Sequence, residues 1–129
     1  MAYLFDTDIL IDYLRGYPAA IELIEAHITE AYLSVMNVAE LYQGVREGNE
    51  RTKLRATISA FTILPITQDI AEQGGLFSRD YRDSHGCGLA DCLIAATVDS
   101  HGLTLQTLND KHYPMIKAMV MPYKKKKKG

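Results

Sequence analysis

Five short apolar runs, at 2–5, 31–35, 61–66, 103–107 and 118–121, are separated by longer stretches with helical periodicity. Strands that short and mostly apolar are read as buried on both faces, and a helix between successive strands is the connection a parallel sheet requires. The chain is therefore expected to be an α/β domain with helices layered on a mainly parallel central sheet. Helix signals agree. Thr7 or Asp8 can cap a helix to about Arg15, which Gly16-Tyr17-Pro18 then breaks, and Pro18 opens a second helix. Further helices are expected at 36–47, 50–60, 67–83 and 89–100, the last closed by His101-Gly102. Gly74-Gly75 lies inside the 67–83 helix as its least favourable stretch by propensity, and 110–115 reads as a short helical turn.

The 129 residues suit one domain, and 47% hydrophobic with 23% charged residues is ordinary globular composition. No apolar run approaches the roughly 20 residues that span a bilayer. No basic segment followed by an apolar one marks a secretory signal, so a cytoplasmic protein without membrane association is expected. Cys87 and Cys92 lack metal-ligand spacing and read as small buried hydrophobes in a reducing compartment, not as a disulfide. Lys124–Lys128 hold five of the 14 basic residues, so the rest carries nine against 16 acids, a net −7. The domain is expected to occupy 1–123 as an acidic body. Residues 124–129 read as a disordered lysine-rich tail, with a nucleic-acid patch as the sharper alternative.

Against that frame the placement of acids is informative. Asp6 follows the first strand, at the carboxyl end where open α/β sheets bind ligands. Its neighbours Thr7 and Asp8 read as helix caps, and Asp12 as helix surface. The stretch "LADCLIAATV" at 89–98 is apolar on every side, with Asp91 its only charge. A buried helix carries an acid at a paired, metal-bound or cleft-facing position, although first-turn capping also accounts for Asp91. Glu40 points away from the core stripe of Val38, Leu41, Tyr42 and Val45, with Asn37 nearer its side, and by itself signifies little. Asp110 follows the fourth strand, where capping a short helix is the bland role. Converging on one crevice, these hard oxygen donors would suit Mg²⁺ or Mn²⁺ rather than zinc.

Four stretches together resemble the motifs of PIN-domain ribonucleases, specifically the VapC toxins of toxin–antitoxin pairs. They are "FDTDILIDYL", "SVMNVAELYQG", "GLADCLIAATV" and "LTLQTLNDKHYP", in order and over nearly the whole chain. The resemblance implies a three-layer α/β/α PIN-like fold. It implies a Mg²⁺-dependent endoribonuclease (Mn²⁺ being the other suitable ion), hydrolysing RNA phosphodiester bonds as a toxin. Asp6, Glu40, Asp91 and Asp110 would be its catalytic acids, with Asp6 and Asp91 as metal ligands. Thr7, Asp8 and Asn109 would support them through hydrogen bonds, and Asn109 competes with Asp110 for the fourth acidic position. Asp8 departs from the family's frequent asparagine and adds negative charge. A VapB-like antitoxin, an RNA substrate and a homodimer are the implied partners.

His85 and His112 read as loop histidines with structural roles. Arg46, Arg51, Lys53, Arg55 and Lys111 are candidate phosphate contacts, a solvated helix face being the default for the first four. Two rival readings follow. "DTDIL" loosely resembles the start of haloacid-dehalogenase-like phosphatases, but Leu10 replaces the expected Thr or Val and no paired-aspartate motif follows. The other rival is an inactive PIN-like module that binds RNA or protein without cutting.

Overall fold

A computed structural model describes residues 1–125. Its strands are β1 (Tyr3–Phe5), β2 (Ala31–Ser34), β3 (Thr62–Leu64), β4 (Thr104–Gln106) and β5 (Met119–Val120). Its helices are α1 (Thr7–Leu14), α2 (Pro18–His27), α3 (Val35–Gln43), α4 (Asn49–Ile58), α5 (Gln68–His85) and α6 (Leu89–His101). Single 3₁₀ turns occupy Ile28–Glu30 and Asp110–His112. The sheet runs β3-β2-β1-β4-β5 with every neighbouring pair parallel, which makes the expected "mainly parallel" sheet wholly so. Strand order reverses at β1: the chain steps outward through β2 and β3, then returns to β1's other side as β4. The carboxyl ends of β1 and β4 therefore flank the crevice where such sheets bind ligands.

Alternating side chains of β1 serve opposite layers. Leu4 packs with Ile94, Ala95 and Val98 of α6, and with Leu105, Tyr113 and Ile116. Phe5 packs on the other face with Ile9, Leu10, Ile24, Leu33, Leu41 and Leu54. This gives three layers, with α1–α4 on one face and α6 backed by α5 on the other. Gln106 pairs with Phe5 in register and buries a side-chain carbonyl that lacks a partner among the described residues.

Helix α5 runs unbroken through Gly74-Gly75, and packing supplies the reason. A Cβ on Gly74 would lie 2.7 Å from Leu93 Cδ2 and 3.1 Å from Leu93 Cα, whereas Gly75 has nothing within 4 Å. Gly74 thus sets how closely α5 approaches α6. The left-handed Gly86, at φ 68°, ends α5 and turns the chain into α6.

Two expectations are corrected here. Cys87 and Cys92 are buried as anticipated, yet they are joined as a disulfide. The turn after Gly86 brings their Cα atoms to 6.1 Å, a separation the five-residue spacing alone did not reveal. Asp12 is only 3% exposed rather than on the surface. The Tyr123 hydroxyl donates to its Oδ2 at 2.8 Å and the Lys125 ammonium pairs with Oδ1. The Tyr123 ring stacks on Tyr17, so the segment after β5 straps across α1. The part of the expected lysine tail from 126 to 129 lies outside the described residues. Among those residues, no helix is long and apolar enough to cross a membrane.

The glycine pair yields a direct test. Gly74→Ala is expected to destabilise the protein by about 1–3 kcal/mol through overpacking against Leu93. Gly75→Ala should be neutral or stabilising by up to about 1 kcal/mol, the helix-propensity gain. Thermal melts of the two variants beside wild type check the contrast.

Candidate active site

Asp6 leaves β1 where its backbone N–H still donates to the Gln106 carbonyl of β4, at 2.9 Å. It is itself the N-cap of α1, a role the sequence assigned to Thr7 or Asp8: its Oδ1 accepts the Thr7 N–H at 2.8 Å. Its Oδ2 accepts two hydroxyls, Thr107 Oγ1 at 2.8 Å and Tyr113 OH at 2.8 Å. Thr107 in turn accepts the Asn109 N–H at 3.0 Å. Asp6 is 6% exposed. Burial raises its pKa, the three hydrogen bonds oppose that rise, and nearby Asp91 adds to it.

Asp91, in the first turn of α6, meets Asp6 at the same hydroxyl. Tyr113 OH stands 3.3 Å from Asp91 Oδ1, and His112 Nδ1 stands 3.4 Å from Oδ2. Asp91 thus stands near Asp6, and its side chain keeps 29% exposure. His112 had been read as an isolated loop residue; instead it touches a site acid. The signal in the sequence was its place beside Tyr113, which the packing of Tyr113 draws against α6.

Glu40 reaches the crevice through α3. Ser34 and Asn37 form a capping box, Ser34 Oγ accepting the Met36 N–H at 3.0 Å and Asn37 Oδ1 accepting the Ser34 N–H at 2.8 Å. The Asn37 amide then donates to Thr7 Oγ1 at 2.9 Å, and Thr7 Oγ1 donates to Glu40 Oε1 at 2.8 Å. Thr7 thus hydrogen-bonds a carboxylate, as the resemblance implied, while Asn37 was missed in that role. Half-buried Glu40 has a raised pKa, first from burial and then from the Asp6 and Asp91 charges.

Asp8 accepts the Ile9 N–H at 2.7 Å and the Leu108 N–H at 3.1 Å, tying α1 to the segment after β4. Burial and the Asp6 charge raise its pKa to about 7. Asn109 contributes through its backbone N–H to Thr107, its side chain being exposed. Asp110 shares no side-chain hydrogen-bond donor with the other acids among the described residues. It is exposed and lines a shallow depression with His85, Lys111 and His112. Among the described residues, no three His, Cys, Asp or Glu side chains stand together at metal-ligating spacing.

A cleft of about 640 Å³ extends from Glu40 between α1, α3 and α4, with Arg15, Arg46 and Lys53 on its walls. Of the basic residues singled out in the sequence, Arg46 and Lys53 thus line the cleft that Glu40 also lines. Arg51 is paired with Glu47 at 2.9 Å, Arg55 is exposed on α4, and Lys111 lies on the depression beyond His112.

The raised carboxyl pKa values have a definite sign. The folded protein keeps protons on these groups that the unfolded chain releases above its ordinary carboxylate range, so stability falls as pH rises from about 4 to about 7. Asp8→Asn can accept only one of the two N–H groups and loses the other bond at every pH. The melting temperature of the metal-free variant should nonetheless fall less steeply than wild type's from about pH 4 to about pH 7. Melts across that range in a chelating buffer check this, and equal slopes for the two proteins would reject it.

The chain matches the family model described as PIN domain over residues 3–117. It is 40% identical over 123 residues to Ribonuclease VapC10 of Mycobacterium tuberculosis, covering 93% of this chain and 92% of that protein. Ribonuclease VapC19 of the same organism is 42% identical over 124 residues, at 93% and 98% coverage. A chain of the solved toxin–antitoxin complex from Klebsiella pneumoniae superposes with a TM-score of 0.81 at 34% identity. That match covers 95% of this chain and 98% of the other. On motif order, fold and similarity over almost its whole length, the chain belongs to the PIN-domain family, within its VapC ribonuclease branch.

Proposed function

We propose that this chain is a Mg²⁺-dependent endoribonuclease, Mn²⁺ being the other suitable cation, and the toxin of a toxin–antitoxin pair. The observation that carries this reading is the meeting of Asp6 and Asp91 at one hydroxyl at the switch point of the sheet. The ribonuclease names of the relatives support RNA as the substrate.

The donor set fits a hard divalent cation. Mg²⁺ is held by one or two carboxylates and completes its octahedron with water and substrate phosphate, so Asp6 and Asp91 suffice without a third protein ligand. When bound, such an ion neutralises the scissile phosphate and supplies an activated water. The chain's own residues do the remainder. Thr7, Thr107 and Tyr113 orient Asp6. Glu40 is suited to take a proton from the attacking water: its pKa is raised toward the working range, and Thr7 engages only its Oε1. Arg15, Arg46 and Lys53 give an otherwise acidic body the local positive charge that an RNA strand requires beside Glu40.

A VapB-like antitoxin is the proposed protein partner, supported by the Klebsiella relative having been solved as a toxin–antitoxin complex. A homodimer and action on cytoplasmic RNA complete the proposal.

Purified protein is expected to cut mixed cellular RNA with Mg²⁺ and not with EDTA. Asp6→Asn and Asp91→Asn should lower the rate more than about a hundredfold while the circular dichroism stays that of wild type. Variants that cut like wild type would sink the site assignment. RNA retained on a filter but uncut with Mg²⁺ or Mn²⁺ would make the chain a binding module. Expression of the chain alone should arrest bacterial growth, and co-expression of the antitoxin from the adjacent gene should restore it.

A further inference from the structure

Tyr113 serves two purposes that its position makes separable. Its ring belongs to the core on the α6 face, with Leu4, Ile94, Val98 and Leu105, and the residue is only 1% exposed. A buried tyrosine hydroxyl needs a partner, and a backbone carbonyl would satisfy it. Here the hydroxyl lies between two carboxylates from elements far apart in the chain, 2.8 Å from Asp6 Oδ2 and 3.3 Å from Asp91 Oδ1.

The two acids are not equally supported. Asp6 has two further donors, the Thr7 N–H and the Thr107 hydroxyl. For Asp91 the other contact among the described residues is His112, at 3.4 Å. A hydroxyl carries one hydrogen, so a single O–H serves both carboxylates and holds them near one another against their mutual repulsion. Without it Asp6 remains fixed by α1 and β4, whereas Asp91 loses the bond that aims it at Asp6.

We infer that Tyr113 is a positioning residue, its hydroxyl setting the spacing and direction of the Asp6–Asp91 pair that receives the divalent cation. This rests on the metal-site reading above. It also gives the fourth sequence motif a role that no acid performs: residues 112 and 113 act by contact with Asp91, while Asp110 stays outside.

The test compares Tyr113→Phe with Tyr123→Phe. Both changes delete one hydroxyl bound to a buried aspartate at 2.8 Å and keep the ring, but Tyr123 serves Asp12 on the strap across α1. Mn²⁺ binding is read by electron paramagnetic resonance on the RNA-free protein, and cleavage is followed against Mg²⁺ concentration. Tyr113→Phe is expected to weaken Mn²⁺ binding about tenfold or more. The Mg²⁺ needed for half-maximal cleavage should rise in proportion, and saturating Mg²⁺ should restore kcat to near wild type. Tyr123→Phe should bind Mn²⁺ like wild type. Unchanged Mn²⁺ affinity in Tyr113→Phe overturns the inference, as does equal weakening in both variants, which would mark a general effect of stability. Wild-type protein that binds no Mn²⁺ overturns the metal-site reading itself, and the inference with it.

Discussion

The structure is organised around one buried carboxylate, Asp6, at the carboxyl end of the central strand. A lone carboxylate in such a place is costly, and it is tolerated only where donors surround it. The donors come from three separate elements: the first N–H of α1, the threonine just past β4, and the tyrosine after the 3₁₀ turn. The Thr107 and Tyr113 hydroxyls reach Asp6 only because β4 lies beside β1, so the strand order and the site are one requirement. Burial still outweighs the donors, and Asp6 keeps a raised pKa. On the proposed reading, this pocket of hard oxygens is where the cation binds.

The support of the second acid shows how ordinary helix chemistry becomes part of a site. Asn37 is half of a capping box, and one amide group does both tasks, its oxygen accepting from Ser34 and its nitrogen donating to Thr7. An aspartate there would keep the cap and lose the donor to Thr7. The chain of bonds from Ser34 through Asn37 and Thr7 to Glu40 joins the start of α3 to the start of α1. Both helices begin at carboxyl ends of neighbouring strands, so the orientation of Glu40 derives from the same sheet that places Asp6.

Several features were legible locally, and others were not. The boundaries of α2 and α6 follow from Pro18 and Gly102, and the observed helices match them closely. Gly74-Gly75 read as the least favourable stretch of the 67–83 helix because intrinsic propensity counts only the helix's own backbone. The benefit of Gly74 lies in its distance to Leu93 on another helix, and α5 continues for that reason. Asp12 read as surface because its neighbours in α1 are mixed in polarity. It is covered by Tyr123 and Lys125, more than a hundred residues later. The disulfide belongs with these: spacing showed two small sulfur-bearing side chains, and the turn after Gly86 decided that they meet.

By itself the sequence determined the alternation of strands and helices, the parallel sheet, and the placing of Asp6 after the first strand. Each depends on periodicity, turn residues or capping, interactions that act over a few neighbouring positions. Family resemblance added Glu40 and Asp91 as members of one site. Tertiary structure alone decided which side chains hold those acids: Asn37, Thr107, His112 and Tyr113 entered, and Asp110 lies exposed on the depression that His112 also lines. The reason is physical. A hydrogen bond between Tyr113 and Asp6 spans 107 positions of the chain, and only the packing of β4 and α6 against β1 brings its two ends together.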